Sequence, residues 1–443
     1  MVNHTKVRFY NTILFIICLF IISCASQEYP DKNQYSNNPP QRIDYTLETV
    51  SIEADRDLYI LDKLEYFSNL KEISIANCSI VKIPENINKL QKIKTIHIQD
   101  VKEIVFPNSL KNISTLESII IINCKMDTIP DEILTIPNIK TLHIVECSIT
   151  TLPQKLFTKR SLEVLTLPKN KISVLSKDIN KLTNLRMLGL ENNMIHEIPN
   201  EIGDCKLLLS LSFLENKITQ IPSSLCRLEN LEELNLQNNQ LTMVTIDWSK
   251  LKNIKKIFLD NNAISSIADT FSADLPINEL SFSNNKLTTI PKSIAKLKAL
   301  EKLELRINQI TEIPHEFKAM PKLSEVNISK NNLTSIQSDI WDSPQLYGVY
   351  LSYNQIRDIP LNLCSNPMII SINLSNNLIE TIPVEITKMK YLKKLYINNN
   401  NIKELSFSFT ELSSLNELGI TGNLIEKDVI QDVQKSELFI LLR

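Results

Sequence analysis

From residue 70 onward, hydrophobic and polar positions recur with a period of 23. An aliphatic residue opens each unit at Leu70, Ile93, Leu116, Ile139, Leu162, Leu185, Leu208, Leu231, Ile254, Ile277, Leu300, Leu323, Leu346, Ile369, Leu392 and Leu415, giving fifteen identical intervals. Within a unit the spacing is L-x-x-L-x-L-x-x-N/C-x-L, as in Leu70, Ile73, Ile75, Cys78 and Ile80. The L-x-L pair alternates with the two-residue period of a strand, so one face of each short strand is buried. One strand per unit, stacked on the next, predicts a long parallel sheet. The pattern fades at both ends. Leu47, Val50 and Ile52 fit one unit earlier, with Asp55 in the Asn slot; Leu438 and Leu441 fit one unit later, after a short helix expected near 428–434. Such degenerate units are expected to cap the open ends of a stacked core.

The slot after each strand is filled by Asn170, Asn193, Asn216, Asn239, Asn262, Asn285, Asn308, Asn331, Asn354, Asn377, Asn400 and Asn423. A buried amide must be hydrogen-bonded, and one repeated in every turn can bond to backbone groups of its own and adjacent turns. These carboxamides are therefore expected to be a structural ladder. In ten units a proline follows, as in Pro84, Pro199 and Pro383, where its missing N–H and fixed φ suit an irregular turn away from the sheet. A further apolar residue lies three positions on, as in Ile202, Leu225, Trp248, Phe271, Phe317 and Ile340, and is expected to seal the opposite side.

This signature resembles the leucine-rich repeat over about four fifths of the chain. The resemblance implies an α/β fold: a right-handed, curved solenoid with a parallel sheet on its concave side and an irregular or short-helical convex side. It also implies protein–protein recognition on the concave face, sometimes of host or neighbouring-cell molecules.

The N-terminus changes the picture. Lys6 and Arg8 precede an apolar run from Phe9 to Ile22 that stops at Ser23-Cys24, the layout of a secretory signal. The run falls short of the roughly 20 apolar residues of a membrane-spanning helix. Ile21-Ile22-Ser23-Cys24 resembles the lipobox of bacterial lipoproteins, which implies that Cys24 becomes the acylated first residue of an exported protein held on an envelope membrane, the outer membrane or cell surface included. An ordinary secretory cut and an uncleaved anchor are the alternatives. The expected organisation is a signal peptide (1–23), a polar tether (24–46), a degenerate N-terminal cap (47–69), sixteen repeats (70–426) and a C-terminal cap (427–443).

Composition removes other classes. The net charge is -2 and no extended basic run occurs, so nothing points to nucleic acid. Only 5 glycines are present, and no phosphate loop, zinc spacing or nucleophile elbow is found. Signal, tether, solenoid and caps use every segment, so no catalytic residue, cofactor or metal is expected. His97 and His143 lie two units apart with Ile120 between, about 10 Å by strand spacing, too far to share one zinc; both are read as surface histidines. Cys124 and Cys147 stack in adjacent units, where parallel side chains hold their Cβ atoms too far apart for an unstrained bridge. Buried thiols are expected, with a bridge as the alternative.

Two groups stand out where the repeat leaves the strand's outward residues free. One is apolar: Ile120, Ile122, Val145 and Pro168, flanked by His97 and His143. The outward isoleucines are expected to contribute nothing to folding. The other is Tyr347, Tyr350, Tyr353 and Tyr396. Between them lie Glu233, Asp260, Lys302, Glu304 and Arg306, expected to keep the sheet soluble. The reading is a monomeric, non-enzymatic, lipid-anchored scaffold for a protein partner. The rivals are a structural part of the envelope without specific capture, and a carbohydrate binder using the tyrosines.

Overall fold

The computed structural model describes residues 44–408, 411–426 and 440–441. The signal, most of the tether, Cys24 and the helix expected near 428–434 lie outside the described residues.

Among the described residues, eighteen strands form one parallel sheet. Neighbours pair at the repeat offset throughout, from Thr49↔Glu72 and Ile52↔Ile75 at one end to Leu418↔Leu441 at the other. The L-x-L pairs are buried, Ile119 and Ile121 fully so. On the far side the chain turns mostly through single 3-10 turns, such as Glu85–Lys89, Asn200–Asp204 and Lys292–Lys296. Each of these follows a proline, extended in Pro84 and in Pro199 at φ -65 and ψ 147. The turns' apolar residues, Ile202, Leu225, Trp248, Phe271, Phe317 and Ile340, are all buried. Trp248 and Phe271 stack at 5.4 Å between ring centroids, an arrangement that adds to their large buried area.

The asparagine ladder is the main polar device of the interior. Asn193 Nδ2 donates to the carbonyls of Leu190 (3.1 Å) and Glu191 (3.1 Å) in its own unit and of Leu167 (2.9 Å) in the unit before, while its Oδ1 accepts the Ile172 N–H (3.0 Å). Asn285 and Asn400 repeat the arrangement. Both N–H protons and the oxygen of the amide are thereby engaged, and each unit is stitched to the one before it.

The ladder also sets strand length. Where it is absent, strands run to five residues: Glu72–Ala76, Thr95–Gln99, Ser118–Ile122 and Thr141–Val145. From Val164–Thr166 to Glu417–Gly419 they run to three. In the Asn units the carbonyl of the second strand aliphatic is taken by two side-chain amides, as Leu167 O is by Asn170 and Asn193. That carbonyl is no longer the sheet's, and the strand ends two residues sooner. In the first four units the slot holds Cys78, Val101, Cys124 and Cys147. The thiols are weak substitutes: Cys147 Sγ donates to Val145 O at 3.1 Å but reaches Ile121 O only at 3.9 Å. They are free thiols, and burial pushes Cys124 up to about 11 and Cys147 to about 12.

Two placements differ from the sequence reading. Ile80, assigned to the core, is 48% exposed. Without an amide to pin the chain behind the strand, Ile80–Lys82 extends and pairs with Glu103–Val105, which turns Val81 inward instead. Leu47 is exposed as well; a twelve-residue 3-10 stretch, Asp55–Tyr66, closes the N-terminal end with Leu61, Leu64 and Phe67. Asp55 nonetheless performs a ladder-like task, accepting the Ser79 N–H at 2.7 Å.

Replacing Asn285 with leucine leaves its carbonyl and N–H partners unpaired in a dry interior, at a cost of roughly 1–3 kcal/mol. The expected outcome is a lowered thermal midpoint with an unchanged strand signal by circular dichroism; an unaltered melt contradicts the ladder.

Candidate functional site

The concave face consists of two rows of outward side chains set in register by the strands. One row runs Ser74, His97, Ile120, His143 and Thr166 through successive pairings. Beside it run Gln99, Ile122 and Val145. Side chains on the inside of a curve converge, and in-register neighbours stand only about 4.8 Å apart. That convergence changes the first candidate group. Ile120, Ile122, His97 and Pro168 are half-buried, whereas Val145 is 8% and His143 4% exposed. The expectation of a surface histidine fails for His143. Val145, read as part of an apolar patch open to a partner, is packed against its neighbours instead.

His143 Nδ1 is hydrogen-bonded to Thr166 Oγ1, and its Nε2 is buried with no partner. Burial first, and the nearby His97 second, hold its pKa down at about 4. His97 is also pushed down by burial. The pair is therefore neutral at pH 7, and the N-terminal part of the face carries no imidazolium.

Beyond Thr166 the rows become polar. A Cβ on Gly189 would lie 2.9 Å from Glu191 Oε2, so the glycine makes room for that carboxylate to fold back over the strand. Burial pushes the Glu191 pKa up. Asp260, read from sequence as a solubilising charge, is buried, and accepts from Gln237 Nε2, Ser281 Oγ and the Ser283 N–H (2.7 Å). The sequence shows these groups only as scattered polar residues; their shared offset of one or two units was the available signal. Lys302 and Glu304 pair at 3.4 Å.

The tyrosine group is divided. Tyr350 and Tyr396 stand on strands Gly348–Tyr350 and Lys394–Tyr396, separated by the strand of Asn373. Gly348 seats the Tyr350 ring: a Cβ there would meet its Cε2 at 3.2 Å. Tyr396 Oη donates to Glu417 Oε2, and burial followed by that bond pushes the phenol up to about 12. Tyr347 lies at the strand's entry edge, 3.4 Å from Glu325 Oε2. Tyr353 is not on the strand. It sits in the turn behind it at φ 56, exposed, with Lys330 Nζ 5.3 Å from its ring centroid. That turn position has positive φ in unit after unit and holds Asn more often than any other residue; Ile307, at φ 57, is a β-branched residue in a conformation that disfavours it. Among the described residues no His, Cys, Asp and Glu group suits a metal, and no helix is long and apolar enough to cross a membrane.

A family model described as a leucine-rich repeat region matches residues 138–271, and one described as a leucine rich repeat matches 252–310, 299–356 and 367–425. No curated protein matches the sequence. Among solved structures, a leucine-rich-repeat protein of Leptospira interrogans superposes with a TM-score of 0.75 and 26% identity, over 82% of this chain and 93% of that one. The Arabidopsis receptor kinase HAESA, solved with the peptide hormone IDA and the co-receptor SERK1, gives 0.64 and 24%, over 85% of this chain and 73% of that one. InlJ of Listeria monocytogenes, whose functional domain includes a cysteine ladder, gives 0.61 and 20%, over 72% and 65%.

His143 provides a pH test. Its folded pKa is lowered from 6.5 to about 4, so the unfolded chain takes up the proton first as pH falls. Its contribution is complete above pH 6.5 and is lost progressively between 6.5 and about 4, a change on the order of 3 kcal/mol. The difference in thermal midpoint between wild type and His143→Gln is expected to shrink or reverse across that window; a constant difference counts against a neutral, buried imidazole.

Proposed function

Because this chain belongs to the leucine-rich-repeat family, we propose that it is a non-enzymatic scaffold, exported and anchored by an acylated Cys24, that captures a protein partner on its concave face. The fold commonly mediates protein–protein binding. The observation that carries the reading is the pair Tyr350 and Tyr396. Both rings stand on a parallel sheet whose backbone is held by the ladder, and Gly348 gives one of them its seat. Rigid tyrosines lose little conformational entropy on binding and are frequent interface anchors. The N-terminal group contributes less than its sequence suggested, because Val145 and His143 are already packed against their neighbours. HAESA, solved with a peptide hormone and a co-receptor, is a protein-binding example of the fold.

Anchoring at Cys24 complements this role, since more than one acyl chain on a single residue gives durable membrane attachment, and the polar segment 25–45 is long enough to hold the solenoid clear of the lipid. Cys24→Ala is expected to abolish lipid labelling and move the protein out of the membrane fraction; labelling that persists sinks the lipoprotein reading.

Tyr350→Ser with Tyr396→Ser is expected to weaken capture of a crosslinked partner on intact cells on the order of 30-fold or more, with strand content unchanged. Indifference of every partner to the double variant favours a purely structural role, and glycan-array binding lost in the same variant favours a carbohydrate ligand.

A further inference from the structure

The strand-entry edge of the sheet is laced with ion pairs over most of its length. Lys94 and Lys140 flank Glu117 at 2.8 and 3.1 Å, Arg186 faces Glu163, and Lys255 meets Glu232 at 2.7 Å. These residues all immediately follow the first aliphatic of their unit. Two positions earlier, asparagines cap the preceding unit, as Asn184 does for Arg160 O and Asn230 for Lys206 O, each at 2.8 Å.

Near the C-terminal end both columns change character. The ion-pair column reads Tyr347, Ile370, Lys393 along a continuous backbone ladder, Ile370 N to Tyr347 O at 2.9 Å and Lys393 N to Ile370 O at 2.8 Å. The asparagine column reads Met368, Tyr391. All four large apolar side chains are exposed, Tyr391 by 57%. Corresponding positions of successive strands lie along one lateral edge, so the four form a patch on a flat side and not in the concave groove. The flanking cations are uncommitted: Lys388, Lys390 and Lys393 have no ion-pair partner among the described residues, and segment 387–394 contains four lysines and no acid. Its fourth lysine, Lys394, is held by Glu417 at 2.8 Å. Of the acids in the adjoining units, Asp342 meets Asn362 Nδ2, Glu411 accepts the Ser408 N–H, and Glu325 accepts from Tyr347 Oη at the margin of the patch.

Exposed aliphatic and tyrosine side chains on a flat edge, rimmed by unpaired lysines, match the chemistry of an anionic lipid surface. Tyrosine rings settle at the headgroup level, aliphatic tips enter the acyl boundary, and each lysine near the surface gains attraction. The geometry points to a membrane-contact face formed by Tyr347, Met368, Ile370 and Tyr391 with Lys388, Lys390 and Lys393, taking a bilayer that carries acidic phospholipid. This contact lies near the C-terminal end of the repeats and does not depend on acylation of Cys24. A concave-face partner would remain accessible, because the edge and the strand faces are different surfaces of the same units.

The test uses the full chain carrying Cys24→Ala, so that no acyl chain drives binding. Tyr391→Trp and, separately, Lys255→Trp on the ion-paired stretch of the same edge report contact through quenching by brominated lipid. Vesicles of phosphatidylcholine with phosphatidylglycerol are expected to quench the first and not the second, and vesicles of phosphatidylcholine alone to quench neither. Adding Lys388→Gln, Lys390→Gln and Lys393→Gln, all at exposed positions, is expected to weaken partitioning on the order of 100-fold. No quenching at position 391 on anionic vesicles by a folded chain, equal quenching on zwitterionic vesicles, or indifference to the lysine changes overturns the proposal. A patch variant that loses a protein partner while vesicles never quench assigns the face to that protein instead, and also overturns it.

Discussion

A buried amide that must spend all its hydrogen bonds governs this structure. Each ladder asparagine reaches at least one carbonyl of its own unit, one of the unit before, and an N–H of that earlier unit, as Asn193 and Asn308 do. No other residue of that size supplies two donors and an acceptor in one plane. The consequence extends beyond cohesion. By claiming the carbonyl of the second strand aliphatic, the ladder trims the strands to three residues, and where cysteine or valine takes the slot the strands regain two. The polar interior therefore decides how much sheet each unit presents to a partner.

The first four units show the other regime. Longer strands hold two full rows of outward side chains in register, and on the inside of a curve those rows bury one another. His143 becomes a neutral, internal group bonded to Thr166, and Val145 becomes part of a second, shallow layer of packing. Their sequence positions are outward in phase, so phase and burial part company here. Farther along, the outward residues of the shorter strands are mostly polar, with Phe258, Tyr350 and Tyr396 half-buried among them, and exposed tyrosines stand on the neighbouring edge.

The same repeat assigns different duties to different columns. The strand faces hold candidate recognition residues, the turns behind them favour asparagine because φ is positive, and the entry edge is pinned by ion pairs until they give way to apolar residues and unpaired lysines. A solenoid of this kind can address a protein on one surface and a second phase on another, because each surface is written by its own column of an otherwise fixed template.

The 23-residue period alone determined the parallel sheet, its register, the burial of Ile119 and Ile121, the ladder and the sealing of the convex side, because each depends on contacts that repeat at one fixed offset. Proline placement likewise announced the turns. Tertiary structure decided whatever depends on neighbours of unequal size or on which carbonyl is free. Ile80 faces solvent and Val81 the core because the next unit's slot holds Val101, which cannot accept the Ile80 N–H as Asn170 accepts that of Ile149. His143 and Val145 are buried by the convergence of adjacent strands. Asp260 is an internal acceptor because Gln237, Ser281 and Ser283 close on it from adjacent strands, and Tyr350 lies back only because Gly348 has no side chain. A template reports a residue's direction; how much water remains in that direction is fixed by the side chains one unit away.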